Sequence, residues 1–73
     1  FALGRAREAA IHYETLLRIA PARVDVWKTL GAVYLEALDE RAEAVRAFRE
    51  ALRLETDPAE RERLAAVLAE LGG

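Results

Sequence analysis

The sequence predicts an all-α chain of four helices folded as antiparallel hairpins, and three observations carry that prediction. Apolar residues recur at spacings of three and four, no segment alternates with period two, and prolines and glycines fall where one helical stripe ends and the next begins. Alanine, leucine, glutamate and arginine dominate, and all four favour helix. At 73 residues the chain is one small domain or a piece of a larger one.

The first helix is expected from about Arg5 to Ala20, with Ala9, Tyr13, Leu16, Leu17 and Ala20 on one stripe. Ahead of it, Phe1-Ala2-Leu3 reads as the last turn of a preceding helix closed by Gly4. Pro21 stops the first helix because it has no N–H for the ladder. A second helix runs from about Arg23 to Leu38 on the stripe Trp27, Leu30, Gly31, Tyr34 and Leu38, with a poor N-cap. Asp39 is the expected cap of a third helix, which reaches about Glu55 and carries Ala44, Val45, Phe48, Ala51, Leu52 and Glu55. The strongest start signal is Asp57-Pro58-Ala59-Glu60: a capping carboxylate, a proline suited to the first helical position, and an acid placed for a capping box. The fourth helix then carries Leu64, Val67, Leu68 and Leu71 and closes on Gly72-Gly73. Connections of a few residues force neighbouring helices to run antiparallel.

Several function classes fall away on composition. The net charge is −2 with acids and bases interleaved, so no basic face is expected and nucleic acid is not an expected partner. No apolar run approaches the roughly 18 residues that suggest a membrane span, so no membrane insertion is expected; the chain reads as soluble, with the cytoplasm slightly favoured. Cysteine is absent, which removes thiol catalysis and thiolate metal sites. Methionine is absent even at position 1, so a segment upstream of Phe1 is expected. Arginine-rich, lysine-poor usage hints at a bacterial source.

The chemistry-bearing residues are sparse. His12, the only histidine, has Glu8 and Arg5 as helical neighbours but no second nitrogen ligand, and it reads as solvated. Glu14 with Arg18, Glu43 with Arg46, and Arg46 with Glu50 are spaced as helix-surface ion pairs. Thr15, Thr29 and Thr56 have no base placed to activate them, and the glycines form no phosphate-cradling loop. The chain is therefore expected to be non-enzymatic, with no cofactor and no metal.

An internal repeat gives more. An offset of 35 residues lays Glu8 on Glu43, Ala9 on Ala44, Tyr13 on Phe48, Leu17 on Leu52 and Arg18 on Arg53. An offset of 37 lays Trp27 on Leu64, Leu30 on Val67, Gly31 on Leu68 and Tyr34 on Leu71. The pattern Trp27-x-x-Leu30-Gly31-x-x-Tyr34, followed by Ala44-x-x-x-Phe48, resembles the tetratricopeptide repeat (TPR) signature, and Ala9-x-x-x-Tyr13 with Pro21 repeats its second half. Departures are one extra residue in the hairpin turn, about two more before Pro58, and Leu68 in place of the glycine. Gly31 with the small Ala44 would let two helices approach closely, with Trp27, Tyr34 and Phe48 filling the wider ends.

The resemblance implies a right-handed α-solenoid: residues 1–22 as the second helix of a truncated repeat, 23–56 as a complete repeat, and 57–73 as a capping helix. It also implies a protein–protein interaction module whose concave face takes a partner peptide or helix. Carried onto this chain, the candidate contact residues are Asp25, Lys28, Ala32, Leu35 and Glu36. A carboxylate clamp is not implied, because Ala32 stands where an asparagine would be needed. The alternative is a structural role, with self-association through a first helix whose stripe of Ala9, Tyr13 and Leu16 lies partly uncovered.

Overall fold

The computed structural model describes residues 3–72, with side chains from Gly4 onward. Within that range the chain forms four helices and no strand: α1 (Leu3–Ile19), α2 (Val24–Ala32) running on into a π-helical turn (Val33–Ala37), α3 (Arg41–Leu54) and α4 (Pro58–Leu71). None of them is long and apolar enough to cross a membrane.

Most helix ends follow from local chemistry. α1 stops before Pro21, and α2 starts at Val24 with no side-chain cap from Arg23. The Asp57 carboxylate accepts from Glu60 N at 3.2 Å, Pro58 takes the first position of α4, and Gly72 closes that helix at φ 78°. Only one arm of the expected capping box forms, since the Glu60 carboxylate goes to Lys28 and Arg63 instead. Gly73 and the expected helix end at Phe1 and Ala2 lie outside the described residues.

Two expected boundaries are corrected. Gly4 does not close a helix: it sits in the first turn of α1 without the positive φ that a closing glycine adopts. Asp39 does not cap α3, because the preceding helix widens at its end. Leu38 N donates to Val33 O at 3.1 Å and Glu40 N to Tyr34 O at 2.8 Å, longer loops than the α ladder. This draws Asp39 into the left-handed region, φ 53°, where it ends one helix rather than opening the next. Glu40 holds the N-cap position without a capping side-chain bond, and its carboxylate pairs with Arg7 of α1.

Side-chain pairings fix the directions of the helices. Early α2 meets late α3 through Lys28 and Glu55, the middles meet through Gly31 and Phe48, and Arg61 near the start of α4 reaches Leu52 O near the end of α3. Arg7 with Glu40 and Glu14 with Tyr34 do the same for α1 and the α2 hairpin. Neighbours are antiparallel throughout. Among the described residues, backbone contacts between helices join only sequence neighbours, so α1 and α4 do not close on each other and the helices form an open row measuring 34 × 28 × 16 Å.

The core is built from close approach rather than bulk. Ala44, Ala47 and Ala51 make a small-residue stripe on α3, each at most 2% exposed, and Ala6 and Ala10 do the same on α1. Opposite the α3 stripe, Gly31 is buried, and a Cβ built there would lie 2.8 Å from Cε1 and Cζ of Phe48. The phenyl ring thus occupies the place of the missing side chain, rather than the wider end of the crossing expected from sequence. Leu30, Val33, Tyr34 and Leu38 complete the buried α2 side. Trp27 is half-buried at the margin, its Nε1 donating to Pro21 O at 2.9 Å.

Gly31→Ala is expected to lower stability by about 1–3 kcal/mol through overpacking against Phe48, although alanine alone would favour the helix by about 1 kcal/mol. Urea denaturation measures it. In a Phe48→Leu background the same change should cost little or stabilise; a Gly31→Ala variant more stable than wild type would contradict the close contact.

Candidate functional site

The outward face of α2 follows from helix period: Asp25, Thr29, Ala32 and Glu36 recur at four, three and four, so they share one stripe. Asp25, Thr29 and Glu36 are exposed and Ala32 is half-buried. Lys28 and Leu35, seven residues apart, belong to the adjoining stripe. The five residues expected to face a partner are therefore divided between two surfaces. Thr29 belongs to the outward face although the sequence reading passed it over; its spacing from Asp25 was the available signal.

Ala32 and Glu36 border a shallow hollow of about 450 Å³ with Tyr13 of α1, Thr29, Val33 and Ala37. The hollow follows the π turn, whose Val33 and Ala37 form part of its wall. Asp25 lies toward the other end of the face. Its carboxylate takes two bonds from Arg23, Nε at 3.0 Å and NH2 at 2.8 Å, and the guanidinium holds it below the usual carboxylate range. Leu35 is half-buried and packs against the core, so it offers a partner little area.

Lys28 is already engaged. Its ammonium lies 2.6 Å from Glu55 Oε1 and 3.1 Å from Glu60 Oε1, tying the start of α2 to the α3–α4 junction. The Glu55 side chain is only 13% exposed, and its second oxygen accepts from Thr56 N at 3.0 Å. Hydrogen bonding to Glu55 raises the Lys28 pKa above its ordinary value, with burial opposing and Glu60 adding. The bond from Lys28 in turn lowers Glu55, with burial opposing and the backbone N–H groups of Asp57 and Thr56 adding. This is a structural clasp at the edge of the face.

A second cleft, of about 250 Å³, opens between α1 and α3 over Leu30 and Tyr34, with Trp27 at its wall. Its rim carries Glu14 and Arg18 from α1 and Glu43 and Arg46 from α3, two acids against two bases. The pairing differs from the expected one. Glu43 does meet Arg46 at 3.4 Å, but Glu14 accepts from the Tyr34 hydroxyl and Glu50 pairs with Arg53 at 2.9 Å. His12 is exposed, its ring tilted against Tyr13 with centroids 5.7 Å apart. Among the described residues no polar or charged residue is buried, and no three His, Asp or Glu side chains form a metal-sized cluster.

The clasp makes a pH prediction. A carboxylate with a depressed folded pKa stabilises fully above its unfolded value, 4.5 for Glu55, and that contribution fades as pH falls through the lower folded value. Lys28 acts in the opposite sense: its contribution is complete below 10.5 and fades only as pH rises through its raised value. Asp25 and Glu50 are also lowered and share the acid limb. The melting temperature should therefore fall below pH 4.5, and Glu55→Gln should shrink that fall while lowering the neutral-pH value. An acid limb of the same size in Glu55→Gln would rule the clasp out.

No protein-family model matches the chain, and no curated protein and no solved structure matches it.

Proposed function

We propose that the chain is a non-enzymatic protein-interaction module of the TPR type, in which residues 23–56 form a repeat and 57–73 a capping helix. The observation that carries this reading is the open row of antiparallel helices with Gly31 against Phe48, since the signature places its glycine and its aromatic where two helices of a hairpin meet. The extra residue relative to a 34-residue period finds a physical home in the π turn, which accommodates an added residue without breaking the helix.

On this reading the partner is a peptide or helix that lies along the outward face of α2. Thr29, Ala32 and Glu36 make the contacts, with Tyr13 at the edge of the hollow. Lys28 acts indirectly by holding the α3–α4 junction against α2. One face of this length buries less than a standard interface, so affinity from this chain alone is modest.

A second reading, self-association, has an observation of its own. Ile11 and Ile19 of α1 are 56% and 79% exposed, the two large apolar side chains left in solvent among the described residues. A photoreactive residue at position 32 separates the readings. It is expected to trap a different protein in cells, with Glu36→Lys removing the adduct and the same group at exposed Ala59 trapping none. A chain-to-chain adduct alone would favour self-association, and no adduct at all would remove this face from consideration.

A further inference from the structure

We propose that the partner's anchor on the α2 face is a long basic side chain, arginine or lysine, seated in the hollow beside the π turn with its charge at Glu36. This rests on the reading of that face as the partner site, and it names what the partner must carry. The hollow, about 450 Å³, is walled by Tyr13, Ala32, Val33 and Ala37, with Thr29 and Glu36 along it, and Glu36 is its one charged residue.

What the lining can bond decides what fits. The Glu36 carboxylate is exposed and, among the described residues, has neither a hydrogen bond nor an ion pair. Two other acids of the α2 hairpin differ, Asp25 being held by Arg23 and Glu40 by Arg7. The Thr29 hydroxyl spends its proton on Asp25 O at 2.9 Å, so it has only lone pairs left. Glu36 stands seven residues, about 10 Å, farther along the helix. Both groups therefore accept and neither donates. The backbone adds to the same sign: the closing turn, Val33–Ala37, carries no basic residue, so the negative end of the helix dipole is not offset within it.

Other occupants fail on one of these counts. A partner carboxylate would meet an acid and two groups with nothing to give it. An apolar ridge would cover Val33 and Ala37 but strip water from Glu36 without replacing it, which is costly for a charge. A divalent cation needs more oxygens than one carboxylate supplies, and no three acids cluster among the described residues. A basic side chain meets every demand. Its methylenes lie against Ala32, Val33 and Ala37, its head donates to Glu36, and Thr29 is left for a neutral donor such as a partner backbone N–H.

The test follows amide shifts of the isotope-labelled chain on titration with four blocked alanine pentapeptides whose central residue is arginine, lysine, citrulline or glutamate. Citrulline keeps the length and shape of arginine without its charge. The arginine and lysine peptides should bind at least about tenfold more tightly than the other two, with an advantage that fades as salt rises. Their shifts should centre on residues 29–37. Glu36→Gln, an exposed change between residues of similar helix propensity, should erase the preference, and Glu36→Lys should turn it toward glutamate. Equal affinities, a preference that survives Glu36→Gln, or shifts centred on residues 41–52 would overturn the proposal. So would a dimer lost in Glu36→Gln, because the cation would then be this chain's own. A position-32 adduct without any peptide preference would keep the partner face and remove the basic anchor; absence of both would remove the face with it.

Discussion

The contact between Gly31 and Phe48 sets the geometry on which the remaining packing depends. A phenyl ring seated where a Cβ would otherwise stand lets α2 and α3 close, and the close approach is what allows Ala44, Ala47 and Ala51 to act as core residues. Alanines bury little area each, so they contribute only when backbones are near enough for dispersion contact along the whole stripe. The same economy holds at the α1 interface through Ala6 and Ala10. Among the described residues no large side chain is buried below 2% exposure, which suits a row one helix pair deep, in which every large residue reaches some edge.

Polar ties lock the ends of the row. Lys28 with Glu55 and Glu60 spans three helices, while Arg7 with Glu40 and Glu14 with Tyr34 fasten α1 to the α2 hairpin. Each tie is one contact, but together they select one register among several that an alanine-rich interface would accept. The π turn belongs with them. By widening the end of α2 it turns Asp39 into a left-handed terminator and presents Glu40 to Arg7.

What the sequence disclosed was whatever depends on a single helix. Stripes at three and four marked the four helices, and Asp57-Pro58 marked the start of α4 within one residue, because capping and proline chemistry are local. Gly31 was legible as a contact glycine, but its opposite number was not, since Phe48 and Ala44 lie on the same stripe of α3 and only the axial offset of the helices chooses between them. Gly4 misled because a glycine after apolar residues reads as an end whether or not φ turns positive. Lys28 read as surface for a different reason: its two acids are 27 and 32 residues away. Interleaved charges along the chain sort by face only when two helices are laid side by side.

The face proposed to take a partner lies on α2, and the Gly31–Phe48 crossing fixes how α2 sits against α3. That crossing is directly observable by proton NMR. With the Phe48 ring over Gly31, nuclear Overhauser contacts are expected between the Gly31 Hα protons and the Phe48 Hε and Hζ protons, with the Hα resonances shifted upfield by the ring current. Gly31 Hα resonances at random-coil positions, with no such contacts, would contradict the account at its base.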